Sequence, residues 1–274
     1  MFRRQTLSLL LAGALAALTF SSLGCASDQI RQPTRVPEEV PTLEIATYNV
    51  NFGLAGDDAT LGAIPDADVV LLQETSAAWE AQIRAELSER YPHMLFKHCC
   101  RAGGLAILSK QPLESIAYIE APKPGWFPAW IVHAQTPLGK VQLLNVHLRP
   151  PVDDRGSWAR GYFSTPEIRL AEMQAYHESL EEDLPTIIAG DFNEGEGGEV
   201  VKFLREGDFE TVLTHYAPGA DTWRWQTSLG TVSTQLDHIV YDRQSLEPLD
   251  ARVLEQGSSD HMPILARFRA LEHP

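Results

Sequence analysis

Residues 185–193 read Pro-Thr-Ile-Ile-Ala-Gly-Asp-Phe-Asn, and the fold turns on how they are read. Ile187, Ile188 and Ala189 make a short apolar run that predicts a buried strand, which Gly190 is expected to break. Asp191 and Asn193, one residue apart, fall on the same side of an extended backbone. A carboxylate and a carboxamide at the mouth of a buried strand could hold a water, a phosphate or a metal. Gly, Asp and Asn are also the residues with which strands end in turns. These nine residues leave both readings open.

Outward from this stretch, other expected strands end in the same way. Residues 43–50 alternate as a strand does, with Asn49 at the end. Residues 68–74 carry four successive apolar residues and close on Gln73 and Glu74, which suits a strand covered on both faces. A carboxylate there needs a partner, which a cation could supply; alternatively, Glu74 opens the next helix, where an acid suits the dipole. That helix is expected over 77–90, with Trp79, Ile83 and Leu87 on its apolar side. A β-rich region follows, with strands expected at 103–109, 113–119, 129–134 and 141–146. Asn145, His147 and Arg149 alternate on one face before Pro150 and Pro151 stop the last of them. Asp237 and His238 stand on opposite faces of a strand over 235–241. Asp260 and His261 immediately precede a final strand at 264–269. A carboxylate beside an imidazole is the pairing that orients a histidine as acid or base.

The remaining segments read more plainly. Residues 153–165 are polar and predict a loop, whose Arg155, Arg160 and Tyr162 are either phosphate contacts or solvated side chains. A helix is expected over 166–182, with Pro166 in its first turn and Ile168, Ala171, Ala175 and Leu180 on its apolar side. A short one follows over 198–206. Two aromatic patches, Trp126 with Phe127 and Trp223 with Trp225, read as core packing at a sheet edge. Stacking on bases or wedging into a lipid surface are the alternatives.

The chain has 274 residues and a net charge of −15. Its first 25 residues resemble an export signal of lipoprotein type: Arg3 and Arg4, an apolar stretch from Leu7 to Phe20, and small residues leading to Cys25, the expected site of lipid attachment. The protein is therefore expected on the periplasmic or cell-surface side of a bacterial membrane, tethered through Cys25. Residues 26–41, with Pro33, Pro37 and Pro41, suit a flexible linker. Residues 42–274 are long enough for one domain with a large core. The acidic balance argues against a protein that grips duplex DNA through many phosphates. Cys99 and Cys100 read as buried thiols, with a vicinal disulfide as the alternative.

Six separate strand ends thus carry polar groups, and several carboxylates with two histidines in one cleft call for a cation. Oxygen-rich ligation points to Mg²⁺, or else Mn²⁺ or Ca²⁺. The stretches Thr47 to Val50, Leu72 to Glu74, Gly104 to Ser109, Asn145 to His147, Gly190 to Asn193, Leu236 to His238 and Ser259 to His261, in this order, resemble the endonuclease/exonuclease/phosphatase superfamily. That superfamily includes deoxyribonucleases, abasic-site endonucleases, neutral sphingomyelinases and inositol polyphosphate phosphatases. The resemblance implies an α/β fold: a four-layer sandwich of two packed mixed β-sheets flanked by helices. It implies that Glu74 holds the metal with Asn49 beside it and Asp260 nearby, and that Asp191 orients or deprotonates the attacking water. Asn193 would bind the scissile phosphate. His261, held by Asp237, would contact the phosphoryl oxygen, and His147 would bind phosphate or assist the leaving group. The expected activity is metal-dependent hydrolysis of a phosphodiester in nucleic acid or phospholipid by a monomeric enzyme. A soluble phosphomonoesterase, an inositol-phosphate phosphatase and an inactive binding protein of the same fold are the alternatives.

Overall fold

The computed structural model describes residues 30–228 and 230–271. The expected signal and Cys25 lie outside the described residues. In chain order the elements are β1 (Leu43–Asn49), α1 (Asp58–Gly62), β2 (Val69–Gln73), α2 (Ala77–Leu87), β3 (His93–Lys97), β4 (Leu105–Ser109), β5 (Leu113–Ile119), β6 (Ala129–Thr136) and β7 (Gly139–His147). They continue with α3 (Trp158–Ser164), α4 (Pro166–His177), β8 (Thr186–Asp191), α5 (Glu199–Glu206), β9 (Phe209–Thr211), α6 (Leu213–Tyr216), β10 (Trp223–Thr227), β11 (Gly230–Thr234), β12 (Asp237–Asp242), β13 (Leu246–Val253) and β14 (Ile264–Ala270).

Two six-stranded mixed sheets form the body, ordered β13-β14-β1-β2-β4-β3 and β5-β6-β7-β8-β12-β9. The side-chain period of two builds the layers. In β1 and β2, Leu43, Ile45, Val69 and Leu71 point toward the other sheet and meet Trp130, Val132, Leu143 and Ile187. Their alternates Ala46, Tyr48, Val70 and Leu72 point outward and are covered by Trp79, Ile83 and Leu87 of α2. On the far side, Val146 and Ile188 pack against Met173 and Tyr176 of α4 and Val200 and Leu204 of α5. The result is the expected four-layer sandwich of two packed mixed sheets flanked by helices. Covering both faces explains why β2 is apolar at four successive positions.

Several local expectations are corrected. Gly190 does not break the opening strand, since β8 runs through it to Asp191. Its φ of 147° lies where only glycine is comfortable, and a Cβ would collide with the Val146 carbonyl oxygen of the parallel neighbour β7. Residues 153–165 are not a loop throughout but contain α3, capped by the Ser157 hydroxyl. Helix α4 stops at His177 and buries Arg169, Glu172, Met173 and Tyr176, rather than the face of Ile168, Ala171, Ala175 and Leu180. Cys99 and Cys100 are joined in a vicinal disulfide, and Cys100 is exposed, so these are not buried thiols. In the described part of the expected linker, residues 30–41, Arg31 N donates to His215 O and Thr34 N to Leu249 O, both at 2.7 Å.

Candidate active site

Strand register brings the site together. In the second sheet His147 of β7 lies opposite Asp191 of β8, and Asp191 lies opposite Asp237 of β12. In the first sheet Asn49 of β1 pairs with Gln73 of β2, one residue before Glu74. His261 enters through a bridge to Trp223, just before β14. The two sheets are clipped at this end by Asn145, whose Nδ2 donates to the Leu72 and Ala106 carbonyls while its Oδ1 accepts from Gln73.

Asp191 is the hub. Its Oδ1 accepts from Asn193 N at 2.9 Å and its Oδ2 from Asn49 Nδ2 at 3.1 Å. The Nε2 atoms of His147 and His261 face that same Oδ2, at 3.5 and 3.6 Å. Each ring is fixed from behind. His147 Nδ1 donates to the Ala102 carbonyl at 3.1 Å, and His261 Nδ1 donates to Asp237 Oδ2 at 2.9 Å. Thr222 donates its hydroxyl to the same Asp237 oxygen at 2.7 Å. Burial works against a charge on His261, but the facing carboxylates Asp237 and Asp191 outweigh it and raise its pKa well above the ordinary imidazole value. Burial pushes the Asp191 carboxyl upward, against the pull of His261. His238, on the opposite face of β12, is not part of this group. Its Nε2 donates to the Glu194 carbonyl, its Nδ1 meets the Thr211 hydroxyl, and burial pulls its pKa down to about 4.

Glu74 does not open a helix: the cap of α2 is Ser76, and Glu74 itself has a φ of 59°. Such a backbone is costly for a residue with a side chain unless its surroundings hold it there. Its Oε1 accepts from Asn49 Nδ2 at 3.1 Å and its Oε2 from Phe52 N at 3.2 Å. One carboxamide thus serves two carboxylates, Glu74 and Asp191, while its own oxygen accepts from Asn51 N. This oxygen-only donor set, short of positive charge, fits a hard divalent cation that keeps several waters. Asp191, Asp237 and His261 also bring ligand atoms within 4.8 Å of one another. In that group His261 turns Nδ1 to Asp237 and Nε2 toward Asp191. Asp260 has both oxygens engaged, by Asn51 Nδ2 at 3.2 Å and Trp223 Nε1 at 3.0 Å. Asn193 spends one amide hydrogen on the Leu148 carbonyl, at 3.0 Å.

A cleft of about 730 Å³ opens over these groups. Glu74, His147, Asp191, Asn193, Asp260 and His261 line it, whereas Arg155, Arg160 and Tyr162 do not. Those three belong to the α3 segment and are exposed to solvent. The walls are instead Trp126, Phe127, Trp158, Trp223 and Trp225. The two aromatic patches are therefore not edge packing: Phe127 is buried, but Trp126 and Trp225 are 39% and 55% exposed. Trp126 lies on the guanidinium of Arg149, 3.6 Å from its centre, and its backbone N–H donates to buried Glu172. Burial raises the Glu172 pKa to about 7. Arg149 and Glu172 thus support the wall from below.

A sequence profile of the Endonuclease/Exonuclease/phosphatase family matches residues 46–261. No curated protein matches the chain. Among solved structures, a functionally unknown conserved protein from Enterococcus faecalis V583 superposes with a TM-score of 0.63 at 19% identity, covering 84% of this chain and 100% of that one. D. rerio TDP2 complexed with single strand DNA product gives 0.64 at 16%, covering 83% and 99%. ANGEL2, described as a 2',3'-cyclic phosphatase and bound to adenosine-2',3'-vanadate, gives 0.62 at 15%, covering 88% and 99%. At these identities the likeness is one of fold.

Proposed function

The chain belongs to the endonuclease/exonuclease/phosphatase family, whose members are hydrolases of phosphoester bonds, and on that premise we propose a divalent-cation-dependent phosphodiesterase. One observation carries this reading: two histidines, each fixed through Nδ1, aim Nε2 at a single oxygen of a buried aspartate. That is an acid–base arrangement around one small volume. Asp191 accepts the proton of an incoming water and aligns it. His261, kept protonated by Asp237, donates to a phosphoryl oxygen as its charge grows. His147 offers Nε2 toward the leaving oxygen, and Asn193 offers its remaining amide hydrogen to the phosphate. Glu74, with Asn49 and Asp191 beside it, would hold Mg²⁺, or Mn²⁺ or Ca²⁺, and Asp260 would fix the wall next to it. Such an ion, when bound, offsets charge on the phosphoryl group.

The neighbours bound to a single-strand DNA product and to adenosine-2',3'-vanadate support a phosphoester ligand in this fold. The vicinal disulfide supports an oxidising location, in keeping with the export expected from residues 1–25. The test is a panel of plasmid DNA, sphingomyelin, inositol phosphates and nucleotides, each with Mg²⁺ and with chelator. Chelator-sensitive hydrolysis of at least one diester is expected. Hydrolysis confined to monoesters would replace the diesterase reading with a phosphatase, and no turnover on any member would end the enzyme reading.

A further inference from the structure

Helix α3 is built outside in. Its buried residue is Gly161, which lies so close to the Pro151 carbonyl that a Cβ would collide with it. That contact turns the aromatic residues away from the body: Trp158, Tyr162 and Phe163 are 58%, 67% and 83% exposed. Arg155 and Arg160 stand exposed in the same segment. The acids beside them are engaged, Asp153 by the backbone N–H groups of Arg155 and Ser157, and Asp154 by Arg149. On the other flank of the cleft, Trp225 of β10 sits opposite Val232 of β11, and both are more than half exposed. Trp158, Trp225 and Val232 also line the cleft, so these two outward apolar surfaces are continuous with its mouth.

We propose that this mouth docks on a lipid bilayer, with α3 and the β10–β11 hairpin entering the headgroup region, so that the substrate is the phosphodiester of a phospholipid. The claim about substrate rests on the phosphodiesterase reading above; the claim about docking does not. Aromatic rings with arginines beside them are the side chains that settle where water meets acyl chains. A phospholipid carries its phosphodiester at that level. A nucleic-acid strand, by contrast, is held by a cationic track. Among the described residues no Lys or Arg lines this cleft, and the chain's net charge is −15.

The test is amide hydrogen exchange of the full chain with and without phosphatidylcholine vesicles. Residue-level readout separates this surface from any contribution of the apolar run at 7–20. Residues 155–165 and 223–234 are expected to exchange more slowly with vesicles. Phe163→Asp should abolish that protection and Phe163→Trp should restore it. Because the Phe163 ring lies outside the cleft lining, Phe163→Asp should keep its rate on soluble bis(p-nitrophenyl) phosphate. Its rate on vesicle lipid should fall about ten-fold, the low end for re-exposing one Phe side chain. Unchanged exchange with vesicles, or protection by a single-stranded oligonucleotide instead, would overturn the docking. Protection without hydrolysis of any diester would leave docking standing and remove the phosphodiesterase; turnover of soluble diester without protection would do the reverse.

Discussion

In the proposed mechanism Asp191, His261 and Asp237 carry the chemistry, and each has a distinct expected signature. Removing a positioned acid–base group commonly costs on the order of 10²-fold or more in rate, so Asp191→Asn and His261→Ala should each lower kcat by that much while thermal unfolding shows both folded. Asp237→Asn is more diagnostic, because His261 owes its raised pKa chiefly to that carboxylate and Asp191, against burial. Without the Asp237 charge His261 loses its proton at lower pH. The alkaline limb of kcat/KM should therefore move down in pH, while the acid limb, set by Asp191, remains. An alkaline limb that stays in place would show that His261 is not the acid. Most of these residues were legible in the sequence, because each stands at or just beside a strand end, and strand ends gather in layered folds. The side chains that build the cleft wall were not. Trp126, Trp158, Trp223 and Trp225 look the same in sequence whether they pack a core or line a cleft. Arg155, Arg160 and Tyr162, which in sequence are either phosphate contacts or solvated side chains, lie outside the cleft lining.

At the scale of elements, β8 lies against β7 through a contact that permits only glycine. Gly190→Ala should cost at least ~3 kcal/mol or prevent folding, as overpacking between fixed backbones does. Gly62→Ala, with open space around its Cβ position, should be neutral or slightly stabilising; chemical denaturation measures both. β12 also makes the fold acid-sensitive. His238 is buried and neutral, with a pKa pulled from 6.5 down to about 4. The unfolded chain binds that proton more readily, so this contribution is fully present above about pH 6.5 and is lost as pH falls toward 4, by about 3 kcal/mol in all. His238→Gln should flatten that part of the stability–pH curve. The strands that frame the site were readable from alternation and from apolar runs. Helix α3 was not, because the periodicity that marks a helix is an apolar face turned inward, and here that face is a glycine. The span of α4 was overread for a related reason: its buried side includes Arg169 and Glu172, paired with Glu194 and with backbone N–H groups.

For the molecule as a whole, two sheets packed face to face bring rows of strand ends together, and the four layers followed from sequence once the ordered motifs were recognised. What the motifs share says nothing of the cleft walls, which lie in the connections between them. Among the described residues no helix is long and apolar enough to cross a membrane. The cation proposed at Glu74 would link to global stability: Mg²⁺ at about 100 times its Kd should raise Tm by roughly 5–10 °C, and Glu74→Gln should remove the rise. Calorimetry reads this without any substrate. The most direct test of the central claim compares wild type with an Asp191→Asn, His261→Ala double variant on bis(p-nitrophenyl) phosphate in Mg²⁺. Turnover by wild type, stopped by chelator and lowered at least about 100-fold in the variant, is the expected result; equal rates from two folded proteins would contradict it.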